Sequence, residues 1–232
     1  MTTLPPAPTP PPLGATPQSG WGAGRPTGLA SATIGLTGGV ALVTLLSAFA
    51  SRAMYADFDR YVGPNPTYDA TYIAAQALSS LSSLFMLASY ITLALWMTKI
   101  HRRLTDAGEA MPLAAPWAWF VFIIPVANIV MPYIYFRGLN RRARSRTVGA
   151  WWLTYVASGL ASLAGAVQVV ARSDFSEVFR NANDPLAGID LSPLGAAGIV
   201  SAVLLVVSWV FLAATLRGIT ARDTSGRAPG AR

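Results

Sequence analysis

The sequence predicts an all-α, polytopic bundle of transmembrane helices, and three observations carry that class. Only 12% of the 232 residues are charged while 53% are hydrophobic, against roughly 25% charged in soluble domains. The missing charge is concentrated. Residues 26–51, 70–98, 110–136, 147–171 and 191–216 contain no Asp, Glu, Lys or Arg, and each exceeds the ~20 residues a helix needs to cross a ~30 Å hydrocarbon layer. Finally, the 17 Lys and Arg residues fall in the segments between these stretches, where they act as topology signals.

Composition also excludes several function classes. There is no cysteine, so disulfides, thiolate metal sites and cysteine nucleophiles are ruled out. The net charge of +7 flanks apolar segments and forms no basic face, so no nucleic-acid partner is expected. Residues 1–28 lack the basic start of a cleavable signal peptide. Residues 1–27 are Pro-rich and read as a disordered, solvated tail.

The first span covers about residues 28–50. Its Ser31, Gly35 and Gly39 recur every four residues, a small-residue face that lets another helix approach closely. An acidic, aromatic loop follows, with Asp57, Asp59 and Asp69 as weak cation-ligand candidates. The second span covers about 70–98 and ends in Lys99, His101, Arg102 and Arg103, where the single histidine reads as a loop residue at a helix end. Further spans cover about 148–171 and 191–216. Between them Asp174 and Glu177 suggest a capping box on a short helix that would lay Phe175, Val178 and Phe179 on the membrane surface. Residues 218–232 form a polar tail.

The stretch 112–136 is apolar but interrupted by Pro116, Pro125 and Pro132. Proline removes a backbone donor and clashes with the preceding turn, so two half-helices turning near residues 125–128 compete with a single kinked span. Charge arbitrates between four spans plus a re-entrant or in-plane segment and the alternative of five spans. With four spans, 13 of the 17 basic residues share a side with both termini. With five, the division is 11 to 6. Cytoplasmic loops collect Lys and Arg, so the four-span arrangement is expected, with both termini cytoplasmic.

Within this stretch, Ile124-Pro125-Val126-Ala127-Asn128-Ile129-Val130-Met131-Pro132-Tyr133 is preceded by Trp117, Trp119 and Phe120 and followed by Arg137 and Arg141. The run resembles the signature of a bacterial membrane family catalogued as domain of unknown function 4328, over roughly residues 70–217. Gly138 stands where that family often carries an acid. The resemblance implies a polytopic protein of the bacterial inner (plasma) membrane, with Trp117, Trp119, Pro125, Asn128, Pro132 and Tyr133 as its motif positions. It implies no activity.

Asn128 is the leading candidate functional residue, because an amide at membrane depth needs partners. It would either satisfy backbone groups freed by the prolines or bind a solute where the helix breaks. Arg137, Arg141, Arg142, Arg144 and Arg146 form a juxtamembrane cluster that attracts anionic lipid head groups or anchors topology. No catalytic constellation, metal-ligand pattern or cofactor motif is present. The expected role is therefore a non-enzymatic membrane component acting through lipid contacts, a membrane-protein partner or a homo-oligomer. A small transporter or channel is the alternative.

Overall fold

The structure is a computed structural model that describes residues 27–56, 58–62, 66–141, 143, 146–174, 176, 180 and 188–224. Among the described residues seven helices can be delimited, in order: α1 (Thr27–Ala56), α2 (Asp59–Val62), α3 (Ala70–Asp106), α4 (Trp117–Phe120), α5 (Pro125–Leu139), α6 (Thr147–Arg172) and α7 (Ser192–Thr224). Four of them, α1, α3, α6 and α7, are long and apolar enough to cross a membrane. The described residues contain no strand. The tail read over residues 1–27 lies outside the described residues, apart from Thr27.

The four long helices pack in the order α3, α1, α7, α6, and small residues set each contact. On α1 the packing positions are the adjacent Gly38 and Gly39. A β-carbon on Gly38 would lie 2.9 Å from the Trp209 ring of α7, and one on Gly39 would lie 2.8 Å from the Phe85 ring of α3. Ser31 and Gly35 lie on the exposed surface of α1, with open space around Gly35. On α6, Gly165 faces Ala197 of α7. Hydroxyl pairs join the same helices: Thr44 with Ser82 at 3.1 Å, Ser47 with Ser79 at 3.2 Å, and Ser158 with Ser201 at 2.9 Å. Lipid tails offer no hydrophobic drive for helix association, so close backbone approach and such bonds carry it.

Two sets of contacts define the ends of the bundle. At one end Arg103 of α3 pairs with Asp223 of α7 at 2.5 Å, and Thr147 of α6 meets Thr215 of α7 at 2.6 Å. At the other, the Asp190 N–H donates to Ser173 Oγ at 3.1 Å, and Tyr61 donates to Asp69 at 3.2 Å. The first is the basic end. Among described residues it holds Lys99, Arg102, Arg103, Arg137, Arg141, Arg146, Arg217 and Arg222, whereas the other holds Arg52, Arg60, Arg172 and Arg180.

Helix α3 begins with Asp69 as N-cap. Its carboxylate accepts from the N–H groups of Thr71 at 3.0 Å and Tyr72 at 3.1 Å, and Arg60 lies 3.5 Å away. Hydrogen bonds to the charged form, first from the Tyr72 N–H, hold this carboxyl below its ordinary value of 3.8. A lowered folded-state value means a contribution present above the ordinary value and lost as pH falls through the folded-state one. Asp69→Asn keeps a good cap residue but removes the titration. The variant should therefore lose part of the wild-type destabilisation below pH 3.8, measured as unfolding midpoint against pH in micelles. Identical acid limbs would reject the assignment.

Asp69 is thus committed to capping. Asp57, and the side chain of Asp59, lie outside the described residues. Asp174 accepts from the N–H and hydroxyl of Ser176, an Asx turn, while Phe175, Glu177, Val178 and Phe179 also lie outside them.

Candidate functional site

The segment after α3 starts with Gly108 in the left-handed region, at φ 77°. It makes one helical turn, α4, runs through turns over residues 121–124, and returns as α5. Its start and finish meet at the basic end. Arg141 donates to the Ala110 carbonyl at 2.8 Å, and a β-carbon on Gly138 would lie 2.6 Å from Pro112 Cδ. The segment therefore enters and leaves the bundle at one end and does not cross it. The chain direction reverses before Pro125, one turn earlier than residues 125–128. The reason is that Pro125 occupies the first turn of α5, where its fixed φ suits a helix start and its missing N–H costs nothing. Ile124, in extended backbone, precedes it.

The hairpin is seated between α3 and α6 and touches both. Its aromatic side chains form the seat. Phe136, fully buried, stacks on Trp96 of α3 with centroids 6.2 Å apart and lies tilted against Trp151 of α6 at 4.6 Å. The Trp96 indole donates to Thr220 of α7 at 3.2 Å. Tyr133 lies 5.3 Å from the Trp152 ring. Trp117 and Trp119 pack, partly buried, against the same cluster, and the Trp119 carbonyl accepts from Tyr90 of α3.

Pro132, fully buried inside α5, cannot donate to the carbonyl four residues back and its ring strains the turn before it. There the Trp152 indole donates to the Ile129 carbonyl at 2.7 Å, so a side chain of α6 serves backbone that the proline disturbs. Asn128 behaves differently from the expectation that it would satisfy such backbone itself. Its Oδ1 accepts from Tyr155 of α6 at 3.1 Å. The pair ties the start of α5 to α6. Tyr155→Phe and Asn128→Ala should each lower stability by about 0.5–1.5 kcal/mol, and the double variant by about as much as either alone. Additive losses in micelle unfolding would show that the two side chains are not coupled.

His101 is the residue that sequence reasoning missed. It lies inside α3, only 6% exposed, with Nδ1 3.0 Å from Tyr135 Oη. The signal was available: Leu93, Trp96, Met97, Ile100, His101 and Leu104 repeat at helical spacing straight through the basic run and are all buried. Of the arginine cluster, Arg137, Arg141 and Arg146 are exposed, while Arg142 and Arg144 lie outside the described residues. Among the described residues no group of three His, Asp or Glu side chains could hold a metal ion.

The sequence family described as "Domain of unknown function (DUF4328)" matches residues 65–221. The chain belongs to this family. The DUF4328 match takes in α3, the hairpin, α6 and nearly all of α7, and leaves out α1. No curated protein and no solved structure matches the chain. The family description assigns no activity, so the seated hairpin with its arginine-bearing exit stands as the candidate site on geometry alone.

Proposed function

We propose that the protein is a non-enzymatic component of the bacterial inner membrane, with both termini cytoplasmic, that holds anionic lipid head groups at the exit of its hairpin. The observation that carries this reading is the joining of the hairpin's two ends at the basic end of the bundle. Arg137, in the last turn of α5, and Arg141, just past its C-cap, are both exposed there. Arg141 spends one N–H on Ala110, which fixes the guanidinium while leaving its other donors for a phosphate. Cytoplasmic leaflets carry anionic lipid and collect basic loops. A transporter or channel built around Asn128 is the less favoured reading, because the amide oxygen is already engaged by Tyr155.

The test is lipid retention by purified protein during detergent washing, read by native mass spectrometry. Wild type should keep phosphatidylglycerol or cardiolipin over phosphatidylcholine. The Arg137→Gln/Arg141→Gln variant should bind anionic lipid on the order of thirtyfold more weakly, at ~1 kcal/mol for each of the two charges. Equal retention of anionic and zwitterionic lipid by wild type would sink the proposal. For orientation, Ala107→Cys and Thr147→Cys should both label with an impermeant thiol reagent only after cells are permeabilised.

A further inference from the structure

The hairpin occupies only the half of the bundle nearest the basic end. In the other half the α1, α6 and α7 helices surround a crevice of about 270 Å³. Its polar lining is entirely hydroxyl: Thr44, Ser47, Ser51 and Tyr55 from one face of α1, Ser162 from α6 and Ser201 from α7. The lining contains no Asp, Glu, Lys, Arg or His; its remaining residues are Ala, Leu and Gly.

Four of these hydroxyls are partnered within the bundle. Thr44 and Ser47 bond to α3, and Ser162 donates to Ser201 at 2.9 Å. Ser51 and Tyr55, both partly buried, have no hydrogen-bond partner among the described residues. Polar groups inside a helical membrane bundle are costly without partners, so two open hydroxyls facing a cavity call for an occupant that can bond to them. The space suits a solute of a few heavy atoms or about nine waters at ~30 Å³ each. The absence of any charge in the lining selects against ions, since desolvating an ion without a counter-charge is far more costly than desolvating a neutral hydroxyl. Hydroxyls both donate and accept, as do those of a polyol.

We propose that this crevice binds a small uncharged polyhydroxyl solute of the size of glycerol, reached from the end of the bundle opposite the basic one. The site is separate from the arginine-bearing exit and does not depend on lipid retention there.

The absence of native cysteine gives a clean test. Ala48→Cys places a thiol in the crevice lining. Phe49→Cys places one on the neighbouring, 55% exposed position of the same helix, facing the surrounding lipid. The thiolate, which forms in water, attacks the sulfenyl sulfur of a methanethiosulfonate reagent, giving a mixed disulfide and releasing methanesulfinate. In nanodiscs Ala48→Cys should react at least about tenfold faster than Phe49→Cys. Glycerol and erythritol should slow it severalfold, and glycerate, of like size but anionic, should not. Equal slow rates at the two positions would mean a dry or lipid-filled crevice and overturn the proposal. A fast rate that no polyol slows would mean water alone, and would overturn it too. Leu194→Cys, also in the lining and without a hydroxyl to lose, provides the same comparison should Ala48→Cys fail to fold.

Discussion

Phe136→Ala should be the most damaging single substitution in the hairpin, costing about 3–5 kcal/mol of stability. The ring is fully buried and lies against Trp96 on one side and Trp151 on the other. Those two indoles belong to α3 and α6, the outermost helices in the packing order, and α5 is what joins them at the basic end. Truncation leaves a void that two large rings on separate helices cannot both close. The loss therefore includes a cavity contribution in addition to the missing contacts. Phe136→Leu retains most of the volume and should lose less. Thermal unfolding in micelles, followed by tryptophan fluorescence, would measure both. An unchanged midpoint for Phe136→Ala would show that the hairpin is not seated between these indoles.

Gly138→Val is expected to follow by the opposite mechanism, overpacking. A β-carbon at this position already falls 2.6 Å from Cδ and 2.8 Å from Cγ of Pro112, with Met111 Cε 3.4 Å away. The methionine tip can swing aside, but the proline ring cannot. The strain, about 1–3 kcal/mol or more, must push the two limbs of the hairpin apart. Gly218→Ala is the matched control: it is also a helical glycine, but with open space around its β-position, and it should be neutral or stabilise by up to about 1 kcal/mol. Opposite signs for the two variants in the same unfolding assay are the expected result. Equal effects would mean that helix propensity, not contact with Pro112, governs Gly138.

Much of this architecture was legible in the sequence because lipid imposes a simple requirement. Uncharged runs of sufficient length become α1, α3, α6 and α7, and the distribution of arginine favoured a segment that turns back. The chain reverses ahead of residues 125–128 because Pro125 does not break a helix but starts one, a position that favours proline. The burial of His101 within α3 departs from a loop position for a related reason. A basic run marks where a span leaves the hydrocarbon layer, yet the helix can continue beyond it, burying one face against its neighbours while Arg102 stays exposed. The stripe of Ser31, Gly35 and Gly39 marked α1 as a packing helix. The identity of its packed face was not legible, because period alone does not reveal which side a large residue such as Trp209 or Phe85 will seek. Nor does a one-dimensional pattern show that Tyr155 would reach Asn128, a pairing across 27 positions.

The packing order of the long helices has a consequence for biogenesis. Helix α1 is translated first and finds α3 soon afterwards, but its other neighbour, α7, emerges only after every helix between them. Helix α6 likewise waits for α7, its main contact. Until then Gly38 has no Trp209 to receive, and the hydroxyls of Ser158 and Ser162 have no Ser201. Newly inserted chains must therefore pass through a half-assembled intermediate with polar groups open to lipid. A ribosome stalled before α7 would release a polypeptide that membrane quality control could recognise by those groups.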